Sequence, residues 1–153
     1  MAFLETTDDI VAYLTVAGRH EMARMLLGEV AVHFVGFQVG RGGYRYNNPV
    51  KIDPVDITAT GLIDPVPNAS VFRPLVTIEQ PIGLNVVSPV CRLSPGESDA
   101  QYGLGELGIF VEYDRDTVNP GNIGTKFLFA LAHFPMVSKT PTHTFVWRII
   151  IAL

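Results

Sequence analysis

His143-Thr-Phe-Val-Trp-Arg-Ile-Ile-Ile-Ala-Leu153 decides the fold. Apart from His143 and Arg148, every residue in it is β-branched, aromatic or aliphatic. Chain ends fray unless something holds them. An end this apolar is therefore expected to pair inside a sheet or to press against a partner. It reads as a chain that stops in its own core and works as a compact module, by docking.

Working back from that strand, the turn-rich stretch 135–141 precedes it, and Lys126 to Phe134 reads as another strand. Its Phe127, Phe129 and Leu131 alternate onto one face, the period of an extended chain. Glu106 to Tyr113 reads as a strand, with a polar connection over 114–124. Leu75 to Glu79 and Leu84 to Leu93 read as two more, and Pro89 predicts an edge or a bulge in the second. Ser94 to Asp99 is a turn-rich loop. Val30 to Val39 carries apolar residues on both faces, as a covered strand does, and ends in Gly40-Arg-Gly-Gly43.

The N-terminal residues 1–29 read as helical. Thr6-Thr-Asp-Asp9 has the cap and acids of a helix start. Thr15 offers a second cap, and Gly28 a stop after Leu27. Val16, Ala23, Leu26 and Leu27 share a face, with Met22 at its edge, which predicts packing on a sheet. Residues 44–74 are punctuated by Pro49, Pro54, Pro65, Pro67 and Pro74, with room for one short strand at 57–62. Excursions this long are usually functional or ordered by a partner. The expected fold is α+β: one domain over 1–153, an N-terminal helix on a mostly antiparallel sheet or sandwich.

Composition narrows the function. Hydrophobic residues make up 48% of the 153 and charged ones only 17%, so part of the exterior is expected to be covered by other subunits. A net charge of −4 with scattered Lys and Arg gives no footprint for nucleic acid. No apolar run has the length of a membrane span, and the acidic N-terminus is not a secretory signal. Cys91 stands alone, which precludes an intrachain disulfide and suits a reducing compartment.

No catalytic or cofactor site emerges. Gly40-Arg-Gly-Gly43 lacks the Lys-Ser/Thr of a phosphate loop. His20, His33, His133 and His143 lack metal-ligand spacing, although His133 and His143 could face each other across a hairpin. Glu112, Asp114, Asp116 and Asn119 crowd one loop without the glycine and final glutamate of a calcium site. Cys91 has no base beside it, and no serine sits in a nucleophile motif. Two features remain. Glu106 and Arg148 are charges inside apolar strands, and a buried charge needs a partner. Glu106 could pair with Arg148 or Arg92, or Arg148 could point to solvent or to another protein. Tyr44, Arg45, Tyr46, Phe72 and Arg73 flank the proline-rich excursion and either form an interface or cover the protein's own core.

Four stretches carry a family resemblance: Leu14-Thr-Val-Ala-Gly-Arg-His-Glu-Met-Ala-Arg24, Phe34 to Gly43, Gly105-Glu-Leu-Gly-Ile-Phe110, and Phe127 to Pro135 with Lys139 and the last strand. In order and spacing the chain resembles the N-terminal, tail-collar domain of phage tail-fibre proteins. That resemblance implies attachment of fibres to a baseplate in the virion, commonly as a trimer, without catalysis, cofactor, nucleic acid or membrane insertion. Lacking a shaft, the chain is expected to be an adaptor, with 44–74 as a docking arm. The alternative is a small glycan-binding β-sandwich, for which Tyr102 and Tyr113 beside Asp99 and Glu112 are the candidates.

Overall fold

Strands dominate the computed structural model, which describes residues 4–45, 48–65, 77–79, 86–93, 103–138, 140 and 142–152. In chain order the elements are β1 (Leu4–Leu14), α1 (Val16–Leu26), β2 (Val30–Gly40), β3 (Tyr44–Arg45), β4 (Asn48–Ile52), β5 (Thr77–Glu79), β6 (Val86–Leu93), β7 (Gly103–Asp116), β8 (Lys126–Ser138) and β9 (His143–Ala152). A short 3-10 turn at Pro120–Asn122 links β7 to β8.

Seven strands form one sheet in the order β2-β7-β8-β1-β9-β6-β5, and β3 and β4 make a separate hairpin. Every pairing is antiparallel except β1 with β9, which runs parallel from Leu4 opposite His143 to Ala12 opposite Ile151. The sheet curls until it is nearly a closed barrel. The β2–β7 and β7–β8 ladders each slip register twice, and such bulges bend a strand and raise its twist. Trp147, Phe37, Leu107, Ile109, Ile149 and Ile151 fill the interior. Phe134, Trp147 and Phe145 stack in a row with ring centroids 5.5 and 5.4 Å apart.

The α+β expectation is overturned: the fold is mostly β, with a single α-helix among the described residues. Thr6-Thr-Asp-Asp9 is not a helix start but the middle of β1, because the parallel ladder to β9 supplies hydrogen bonds that no local sequence signal announces. The helix does begin at the Thr15 cap, whose hydroxyl accepts the Gly18 N–H at 2.9 Å. Yet it does not lay its apolar stripe on the sheet. Val16, Ala23, Leu26 and Leu27 face solvent, Leu26 at 90% exposure. Gly18, Glu21 and Met22 face inward instead. A side chain at Gly18 would collide with the Phe129 carbonyl, so glycine permits that close approach.

Strand limits also move. The 57–62 stretch is turn rather than strand, and β8 continues through Pro135 to Ser138 instead of turning there. Pro89 lies within β6, between β5 and β9, opposite Ile78.

Candidate docking site

Glu106 organises the loops beside the site. Its side chain is fully buried on β7. Its carboxylate accepts the N–H groups of Asp64 at 2.8 Å, Ile63 at 2.9 Å and Gly42 at 3.4 Å. Three backbone donors around one carboxylate satisfy a charge that burial would otherwise penalise. The Gly40-Arg-Gly-Gly43 turn exists to let them converge. A Cβ at Gly40 would strike the Glu106 carboxylate, and one at Gly42 would press on Ile63. Gly43 takes φ of 89°, open to glycine at little cost.

His133 fastens the same excursion from the neighbouring strand. Its Nδ1 lies 2.8 Å from the Asp53 carbonyl oxygen, which can only accept, so the proton sits on Nδ1. Its Nε2 is buried without a hydrogen bond, 4.0 Å from a Glu106 oxygen. Between these two anchors, Val55, Ala59 and Leu62 cover Phe110, Leu128 and Leu131 on the outer face of β7 and β8. Part of the proposed docking arm thus covers its own sheet, while Ile52 and Ile57 of the same segment stay exposed.

Beside that cover lies a cleft of about 600 Å³. Val11 and Tyr13 of β1, Ile52 and Ile57 of the excursion, and Phe134 and Pro135 of β8 line it. Val11, Tyr13, Ile52 and Ile57 are all exposed apolar side chains. Val16 is also exposed, and its N–H donates to the Ile57 carbonyl at 2.7 Å. Asp9 and Asp53 also line the cleft.

The residues singled out from sequence distribute differently. Glu106 is not paired with Arg148 or Arg92, because β7 is separated from β9 by β8 and β1. Arg148 meets Asp9 at 3.3 Å on the outer face, where both are about half exposed. Arg92 is exposed on β6. Tyr44 sits over Gly105 and its hydroxyl donates to the Gly103 carbonyl at 3.3 Å, so it covers the sheet. Arg45 pairs with Asn48 in the β3–β4 ladder. Tyr46, Phe72 and Arg73 lie outside the described residues.

His133 and His143 do not face each other. His143 stacks on Phe145 at 4.1 Å and its Nε2 lies 2.7 Å from the Thr6 hydroxyl. The acidic loop is internally satisfied. Asp116 is buried against Arg24 at 2.6 Å and also accepts from the Val118 and Asn119 amides and the Asn122 side chain. Burial pushes its carboxyl up, but Arg24 and these donors outweigh it and hold it well below the usual carboxylate range. Among the described residues no group of three side chains is placed to hold a metal. Burial pushes the Cys91 thiol far up, which makes it inert. Tyr113, a candidate for sugar stacking, is buried against Phe127, with its hydroxyl pushed up to about 12 by burial and by Glu21. Tyr102 and Asp99 lie outside the described residues.

Sequence reasoning found Glu106 but not its partners. A carboxylate in an apolar strand is a legible signal, whereas backbone amides from a loop some forty residues away carry no residue type to read. The Asp53–His133 bond was likewise invisible, since it uses a carbonyl. No family model, no curated protein and no solved structure matches the chain.

Proposed function

We propose that this chain is a structural attachment protein of a contractile phage tail or related particle, joining fibre to baseplate as a homo-oligomer, a trimer for preference. The observation that carries an attachment role is the exposed apolar surface formed by Val11, Tyr13, Ile52 and Ile57 around the cleft. Contiguous apolar patches of this kind mark interaction sites. The tail assignment is supported by where the family-like stretches fall. They lie on α1, on the adjacent strands β2, β7 and β8, and on β9, which β1 separates from β8.

Antibody labelling of purified particles tests it. Label at the baseplate end of the tail is the expected result, and label on the head or on no particle component overturns the reading. In solution, a mass that stays at 16.7 kDa at high concentration would count against the oligomer.

A further inference from the structure

The sheet is split at one seam. β1 and β8 pair at Tyr13 with Leu131 and Leu14 with Ala130, and the Thr15 N–H reaches the Phe129 carbonyl in the same register at 3.0 Å. Continued toward the start of β1, that register would set Ile10 opposite Phe134 and Asp9 opposite Pro135. It does not continue. Among the described residues, β1 has no partner on its β8 side before Tyr13.

β8 itself explains why the strands part. Across from it, the β7 register jumps between Leu104 and Glu106, so Gly105 alone opposes Phe134, Pro135 and Met136. A bulge there bends the strand, and Pro135 has no N–H to offer a neighbour. Two hollows lie where the strands part. The cleft of about 600 Å³ and a hollow of about 290 Å³ share Asp9, Ile10, Phe134 and Pro135 in their linings.

We infer that this seam receives an extended segment of a partner protein, which adds as a strand along the edge of β1 between Asp8 and Ala12, a stretch that no described residue pairs on its β8 side. An unpaired strand edge is a ready template for another chain, and pockets beside it select alternate side chains. Both hollows are walled by apolar side chains, so the segment presents apolar residues to them: Phe134 and Pro135 serve both, with Val11 in one and Trp147 in the other. Charge sets the rest of its chemistry. Asp8 and Asp9 line the hollows, and among the described residues no Lys or Arg does. Arg148, bonded to Asp9, is the one cation placed beside them by the bonds described. The surplus is negative, so the segment carries Lys or Arg at its ends. The inference goes beyond the attachment role and stands apart from it: particle labelling decides where the chain sits, and peptide binding decides how it holds its partner.

The test uses the full chain and two short dye-labelled peptides of alternating valine and threonine, one ended by lysines and one by glutamates. Fluorescence anisotropy is expected to show the lysine-ended peptide binding about tenfold more tightly. Asp8→Lys, at an exposed position, is expected to erase that preference without unfolding the protein. Hydrogen exchange is expected to slow at backbone amides within residues 8–12 when the lysine-ended peptide binds. Equal binding of the two peptides, no change with Asp8→Lys, or protection elsewhere overturns the inference. So does slowed exchange at residues 8–12 on self-association without peptide, which would make a second copy the occupant.

Discussion

Replacing Glu106 by Gln keeps the side chain's shape and removes its ability to accept on both oxygens. In the native protein one oxygen takes the Asp64 N–H at 2.8 Å and the other the Ile63 N–H at 2.9 Å. Whichever oxygen becomes nitrogen, one buried N–H then faces another donor. A hydrogen bond to a charged group contributes roughly 1.5–3 kcal/mol, and the surviving bond weakens because its acceptor is neutral. Against this, an uncharged side chain no longer bears the desolvation cost of a buried carboxylate. The balance is a loss of about 2 kcal/mol, which for a domain of this size lowers Tm by about 4–8 °C. Urea unfolding measures the loss, and hydrogen exchange locates it: the Ile63 and Asp64 amides should exchange faster in Glu106→Gln while amides in β9 change only with global stability. A variant within about 0.5 kcal/mol of the parent, with both amides still protected, would refute the view that Glu106 is the anchor of the excursion.

Acid stability should depend on Asp116. Its folded pKa lies below the ordinary value of 3.8, so it contributes stability above that value, which is lost as the pH falls through its lower folded one. Asp116→Asn should therefore flatten the stability profile below about pH 4, read as Tm against pH. Arg148→Met should leave stability within about 0.5 kcal/mol in urea unfolding, because its bond to Asp9 is an exposed one. A large loss would revive a buried role for that arginine. Gly43→Ala should cost at least about 1 kcal/mol by thermal melting, since φ of 89° disfavours a side chain and a Cβ would meet the Gly105 carbonyl.

Much of the strand content was legible because it is written in residue types. β9, β8 and β2 announce themselves as runs of Val, Ile and Phe, and Thr15 announces the helix. β1 was hidden for the opposite reason. Thr-Thr-Asp-Asp favours a helix cap locally, and only pairing with a strand more than a hundred residues away overrides it. The helix misled through its apolar stripe. Periodicity names the face with the most hydrocarbon, but at Gly18 the sheet's carbonyl comes so close that only a small residue fits, and that face was the one buried. The apolar surface the sequence assigned to the core is therefore on the outside. At the site, Glu106 was legible as a charge in need of partners, whereas His133 was read only against His143, which it does not face. The backbone groups they bind were not legible, because every residue has them.

The parallel pairing of β1 with β9 also has a mechanical consequence. The nine registered pairs run from Leu4 beside His143 to Ala12 beside Ile151, so the entry to β1 and the exit from β9 lie at opposite ends of one ladder. Tension applied at those two points pulls the strands past each other along their length. In that shearing geometry the slanted, evenly spaced bonds of a parallel ladder strain together instead of opening one after another. Resistance to such a pull is a matter of unfolding rate more than of equilibrium stability. A chain of modest thermodynamic stability can therefore hold firm under tension along this axis.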